Sequence, residues 1–336
     1  LNPKSFLLSE TLHLSRSNAN GIYARLLGGE ILSVTGSKIQ NIYMPWSRIF
    51  SGIIAIALAL SATLLGGWYF TLLFAVIIFL GQQEYFNLVR AKGMAPAAKT
   101  TMFVSQVLLV ICTLDGSLAD AVMPLAGTFI CFYLLFQPKM ATIADISASI
   151  LGLFYTGYLP SYWVRLRSIN GIAINNSPIS DYWFKTWSEI LPAGHFNPVP
   201  QGLIATLLTF ICIWAADIGA YIIGKFFGKT PLSEISPKKT LEGAIFGIVA
   251  SVIMAVAGAY FLNWSGTPFT GLALGLLIGI ASILGDLTES MLKRDAGVKD
   301  SGQLIPGHGG ILDRTDSYIF TAPLVYYFVT LLLPLL

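Results

Sequence analysis

The sequence predicts an all-α, polytopic membrane protein with about nine transmembrane helices, and three observations carry that prediction. Hydrophobic residues make up 55% of the 336 residues and charged residues only 11%, against about 45–50% and ~25% in soluble domains. Mean hydropathy is +0.71. The apolar residues also gather into successive runs near the length of roughly 20 residues that a spanning helix needs. The net charge of +3 is small and calls for no nucleic-acid partner.

Residues 1–43 contain no apolar span and are rich in Ser, Leu, Asn and Gly. Lys4, Arg16, Arg25 and Lys38 against Glu10 and Glu30 make them mildly basic, as in a transit peptide. They read as an N-terminal extension that is disordered or absent from the mature protein, with Met44 a candidate start. The runs that follow predict helices at 48–66, 68–86, 101–115, 120–137, 144–163, 202–225, 241–262, 269–292 and 312–335. The third is short, so a buried helix that does not span is its alternative. Gly66-Gly67 punctuates the first hairpin and Asp115-Gly116 ends the third helix. No internal repeat is visible, which argues against a repeat-built transporter. The chain divides into the extension, N-terminal membrane helices over 44–201, and a C-terminal membrane region over 202–336 that holds nearly all the chemistry.

Lys and Arg set the orientation. With a cytoplasmic N-terminus, the inner loops are 87–100, 138–143, 226–240 and 293–311, and only Arg165, Arg167 and Lys185 fall outside. The long outer loop 164–201 and its edge carry Trp163, Tyr182, Trp183 and Trp187, a pattern expected of an interfacial aromatic belt. Cys112, Cys131 and Cys212 lie inside apolar runs without metal-ligand spacing and read as packed thiols.

Three polar segments fall on the predicted cytoplasmic side. Asp217 interrupts an apolar helix, where a charge costs about 2.5–3.5 kcal/mol, so it should face a cavity. The alternative is a packing face of small residues, continued by Gly224 and Gly228, with Asp217 satisfied by a neighbour. Next comes SPKKTLEG, residues 236–243, where Lys238 and Lys239 precede a helix that Thr240 can N-cap. Two lysines beside free helix N–H groups suit an anion, although a basic inner loop without a ligand has the same composition. Residues 286–317 then hold ten charged residues between two apolar runs. Asp286, Glu289, Ser290 and Lys293 share a helix face at i, i+3, i+4 and i+7. Lys299, Asp300 and the glycine-rich PGHGG of 306–310 occupy the loop, and Asp313, Asp316 and Ser317 open the last helix. Glycines allow backbone N–H groups to approach phosphate. Carboxylates from the two adjacent helices can converge on a hard cation, and Mg²⁺ with phosphate oxygens is the pairing they suit.

The segment SMLKRDAGVKDSGQLIPGHGGILDRTD, residues 290–316, closely resembles the signature of the CDP-diacylglycerol synthases, or phosphatidate cytidylyltransferases. Ser-x-x-Lys-Arg, Lys-Asp, His-Gly-Gly and Asp-Arg-x-Asp all stand as that family has them. GDLTES, SPKKT and the Asp217 helix are similar too, so the resemblance covers about 202–336. It implies transfer of the cytidylyl group of CTP to phosphatidate, giving CDP-diacylglycerol and pyrophosphate in phospholipid synthesis. It implies Mg²⁺ as cofactor, with a second, monovalent cation as an option. Asp286 and Asp313 are the expected metal ligands, supported by Asp316 and Glu289, and Lys293 and Lys299 join the two aspartates in catalysis. Ser236, Lys238, Lys239, Arg294, His308, Gly309, Gly310, Arg314 and Asp217 are expected to contact substrate. CTP, phosphatidate and the bilayer are the implied partners, with a homodimer suggested by the family alone. The membrane is expected to be a bacterial inner membrane, or an organelle's if 1–43 is a transit peptide. A CTP-dependent lipid-alcohol kinase and an ion-coupled transporter are the rivals. The complete signature argues against the first, and polar chemistry gathered on one side rather than at the midplane argues against the second.

Overall fold

The computed structural model describes residues 24–27, 30–35, 38–42, 46–116, 118–138, 140–169, 201–302 and 309–335, with side chains described from Gly52 onward. Two compact units emerge, Leu1–Ile53 and Ile54–Leu336. The first contains an antiparallel meander of β1 (Ala24–Leu27), β2 (Glu30–Thr35) and β3 (Lys38–Ile42). Ala24 stands opposite Ser33, and Ile31 opposite Ile42. This corrects the all-α expectation for the extension. Strands of four to six residues leave no mark in a search for apolar runs of bilayer length. The rest of 1–43, on which the expectation of disorder or removal also falls, lies outside the described residues.

In the second unit the described regular structure is helical, apart from an isolated bridge between Pro231 and Thr240. The helices are α1 (Trp46–Leu65, whose first turns belong to the first unit), α2 (Gly67–Ala91), α3 (Ala98–Leu114), α4 (Leu118–Leu135) and α5 (Ile143–Leu153). A π turn at Phe154–Tyr158 joins α5 to α6 (Leu159–Arg167). Then come α7 (Gln201–Phe227), α8 (Leu241–Phe261), α9 (Phe269–Asp295) and α10 (Leu312–Tyr327), which continues in tighter and wider turns to Leu335. These bounds follow the runs read from the sequence to within about a turn or so. Among the described residues, six helices are long and apolar enough to cross a membrane: α2, α4, α7, α8, α9 and α10 with its continuation. The chain is a multi-pass membrane protein.

Apolar association gains little where lipid tails are as apolar as the side chains, so these helices depend on close backbone approach and internal polar bonds. Gly271, Gly275 and Gly279 form an i, i+4, i+8 ridge on α9 that lies against the backbone of Val256, Val252 and Ile248 on α8. Across α7 and α8, Gly247 faces the Ala216 carbonyl and Gly243 faces Gly224. The small-residue face suggested for α7 is therefore present, alongside Asp217. At the centre Trp163 is fully buried between Phe74, Phe210 and Tyr318. It donates its indole N–H to the Tyr318 carbonyl at 3.1 Å.

That burial corrects the expectation that Trp163 belongs to an interfacial belt; Tyr182, Trp183 and Trp187 lie outside the described residues. The helix also runs past the predicted end at 163, and Arg165 and Arg167 are buried within it rather than loose in an outer loop. Arg165 forms a two-pronged pair with Asp120, at 2.8 and 3.0 Å, under the rings of Tyr162 and Tyr326. Arg167 donates to the Thr63 and Leu64 carbonyls at the end of α1. Cys112 and Cys212 are buried as expected, but Cys131 is exposed on α4.

Candidate active site

Close approach at one end of α7, α8, α9 and α10 assembles the polar residues. Gly285 of α9 lies against the Asp316 carbonyl, with the Ser317 Cα 3.4 Å from where a β-carbon would stand. Asp286 and Asp316 are neighbours for that reason. Asp286 and Glu289 sit one turn apart on α9, and a carboxylate oxygen from each lies within 4.8 Å of one from Asp316. The Glu289 side chain is only 1% exposed. No described donor reaches its Oε1, and its Oε2 meets the Lys293 ammonium at 2.5 Å. A buried carboxylate oxygen without a donor is costly unless a cation faces it. Three converging carboxylates, with no sulfur or imidazole among them, fit a hard cation such as Mg²⁺.

Two lysines flank the cluster. Lys239 pairs with Asp286, and the carboxylate of Asp217 on α7 interacts electrostatically with both. The connection that presents Lys239 is held locally. Leu232 N–H bonds the Lys239 carbonyl at 2.8 Å and Leu241 N–H bonds the Thr230 carbonyl at 2.9 Å. Glu242 accepts from Lys229 N–H and from Thr230 N–H and hydroxyl. Thr240 N-caps α8 through Gly243 N–H at 3.2 Å, as its sequence position suggests. Lys293 stands between Glu289 and Asp313 Oδ1, the latter at 2.6 Å.

Asp313 shares Lys293 with Glu289 and lies in side-chain contact with that glutamate, but its remaining partners belong to the loop. Its Oδ2 accepts from Ser301 N–H at 3.1 Å, Ser301 hydroxyl at 3.0 Å and Gly310 N–H at 2.9 Å. It ties the two ends of the signature loop together beside Gly309, whose φ of 83° suits glycine. Of the other residues expected at the site, Lys238, Arg294, Lys299 and Arg314 are exposed around it. Arg294 donates to the carbonyls of Ile235 and Val298, and Ser236 offers its carbonyl to Lys239 N–H at 3.0 Å. His308 lies outside the described residues.

The chain matches the cytidylyltransferase family over residues 46–332. It belongs to that family. It is similar to a phosphatidate cytidylyltransferase of Synechocystis sp., with 63% identity over 297 residues that cover 87% of this chain and 99% of that one. It is also similar to phosphatidate cytidylyltransferase 4, chloroplastic, of Arabidopsis thaliana: 45% identity over 277 residues, 79% of this chain and 68% of that one. A phosphatidate cytidylyltransferase of Haemophilus influenzae is 44% identical over 140 residues, 40% of this chain and 49% of that one.

In this member of the cytidylyltransferase family, the sequence reading passes over Glu84, Ser301, Trp214 and Tyr318. Glu84 on α2 is buried and accepts from Ser301 hydroxyl, Ile311 N–H and Leu312 N–H at 2.9–3.0 Å. Its signal was available: GQQEYF places a carboxylate inside an apolar helix, where ionisable groups are rare and tied to a partner. Trp214, one turn before Asp217, donates its indole N–H to the Tyr318 hydroxyl at 2.7 Å, joining α7 to α10 two residues beyond Asp316. No feature of the sequence pairs those two aromatics.

Proposed function

We infer that this chain is a phosphatidate cytidylyltransferase: it transfers the cytidylyl group of CTP to phosphatidate, forming CDP-diacylglycerol and releasing pyrophosphate. The observation that carries the reading is the three-carboxylate cluster of Asp286, Glu289 and Asp316, flanked by Lys239 and Lys293, within a chain of this family. An oxygen of the phosphatidate phosphate attacks the α-phosphorus of CTP. The bond from that phosphorus to the bridging oxygen of the β-phosphate breaks, and pyrophosphate leaves with the electron pair. The nucleophile is already anionic near neutral pH, so no general base is required, and the barrier is mainly repulsion between anions.

Asp286, Glu289 and Asp316 would hold Mg²⁺, which when bound draws charge from phosphate oxygens and orients them. Lys239 and Lys293 supply fixed positive charge at the cluster, where a low local dielectric strengthens it. Lys238, Arg294 and Lys299 at the exposed rim attract the polyanionic nucleotide. Asp313 and the paired Lys293 hold the loop that faces these groups. The orientation proposed from the basic residues places this end at the cytoplasmic surface, where nucleotide and Mg²⁺ are supplied. The same proposal counts nine crossings, with α1, α3 and the broken α5–α6 joining the six longer spans, in a bacterial inner membrane. A homodimer rests on the family resemblance.

Purified protein in mixed micelles, given CTP, phosphatidate and Mg²⁺, should release pyrophosphate only when all three are present. Release of CDP with phosphate transfer to a lipid alcohol would support the kinase instead. Absence of any phosphatidate-dependent pyrophosphate would refute the reading.

A further inference from the structure

Glu84 lies more than two hundred residues from the signature, yet it is built into it. Its two carboxylate oxygens take three hydrogen bonds: Oε1 from Ile311 N–H at 3.0 Å, and Oε2 from Leu312 N–H at 2.9 Å and the Ser301 hydroxyl at 3.0 Å. Ile311 and Leu312 open α10, so the carboxylate satisfies orphan N–H groups at a helix N-terminus and meets the positive end of the helix dipole. Gly302 and Gly310 press against the same carboxylate, and a β-carbon at either would collide with it. The Ser301 hydroxyl has one proton and two acceptors, Glu84 and Asp313, each at 3.0 Å. From Asp313 the chain of contacts runs to Lys293 and then Glu289. A continuous series of charge-assisted contacts therefore links α2 to the carboxylate cluster.

The N–H of Gly310 is donated to Asp313 and those of Ile311 and Leu312 to Glu84. The N-terminus of α10 is thus capped by the protein's own anions, which occupy these three N–H groups.

We propose that Glu84 is a positioning residue for cytidylyl transfer, an internal anion that fixes the start of α10 and the closing end of the signature loop so that Asp313, Lys293 and Asp316 are correctly placed. The proposal rests on the functional reading above. A Gln at 84 retains the shape but has one acceptor oxygen, and its amide nitrogen would face an N–H donor. Turnover of Glu84→Gln, per folded protein, is expected to fall roughly 10- to 100-fold, the range seen when partners that orient a site's ligands are removed. Amide exchange in the peptide spanning 309–318 should accelerate at the same time. Glu84→Ala should be partly restored by added formate, whose oxygens can accept from the freed N–H groups of Ile311 and Leu312. Ser301→Ala, which removes one bridging hydroxyl and threatens the fold less, should lose turnover by a smaller factor in the same direction. Wild-type turnover per folded protein in both Glu84→Gln and Ser301→Ala would overturn the proposal, as would unchanged exchange over 309–318 in Glu84→Gln. If the wild type itself releases no pyrophosphate, the functional reading fails, and the exchange measurement alone then decides the role of Glu84.

Discussion

Lys293 holds two carboxylates with one ammonium, and the remaining partners of each carboxylate separate their roles. Asp313 Oδ2 accepts three hydrogen bonds from the loop, whereas Glu289 Oε1 accepts none from any described donor. Glu289, with Asp286 and Asp316, is the better placed to bind a cation. A ligand that binds only the folded state stabilises it by ~2.7 kcal/mol at about 100 times its Kd. Mg²⁺ should therefore raise the unfolding temperature of the wild type, and Asp286→Asn and Glu289→Gln should lose that rise. Asp313→Asn should keep it while turnover falls by more than about 30-fold, because Lys293 loses one of its two anions. Loss of the Mg²⁺ effect in Asp313→Asn would place Asp313 among the ligands. Asp286, Glu289 and Lys293 were legible because helical spacing alone puts them on one face. Glu84 was legible only as a carboxylate in an apolar helix; its partners were not, because 311 and 312 are 227 and 228 residues away and only the folded chain joins them.

Helix positions were largely readable, since apolar runs broken by Gly, Pro and charge clusters report length and ends directly. What hydropathy does not report is which faces meet. Trp163 scored as an interfacial aromatic but is the centre of the core. The Gly271, Gly275, Gly279 ridge is a repeated small-residue spacing that marks a packing face, but the spacing does not say that α8 is the helix it meets. Gly285 extends that logic to α10 and into the site. Gly285→Ala should force α9 away from the Asp316 carbonyl, at a cost of about 1–3 kcal/mol typical of overpacking. Asp286 and Asp316 should separate, and turnover should fall by more than the loss of folded protein explains. Gly52→Ala, on a helix with open space at that position, should leave stability unchanged or raise it by up to about 1 kcal/mol. Thermal unfolding in detergent together with activity per folded protein reads both. Equal behaviour of the two variants would remove Gly285 from the argument.

At the scale of the whole molecule the decisive quantity is the side of the membrane on which the site opens. α7, α8, α9 and α10 alternate in direction through their glycine contacts, so the connection after α7 and the one after α9 share an end, and the connection at 262–268 lies at the other. Lys229, Lys238, Lys239, Lys293, Arg294 and Lys299 all belong to the first end, while 262–268 carries no basic residue. The loops that hold the excess of Lys and Arg stay in the cytoplasm. In a chain whose own three cysteines have been replaced, Lys238→Cys should react with an impermeant maleimide only in inverted vesicles. Ser265→Cys should react in intact cells. Both positions flank long apolar helices, α8 and α9 respectively, so a single consistent assignment orients the whole C-terminal region. The reverse labelling would turn the carboxylate cluster away from the cytoplasmic nucleotide pool. A cytidylyltransferase facing that way would lack its CTP, so this outcome would contradict the proposed orientation and the proposed supply of substrate together.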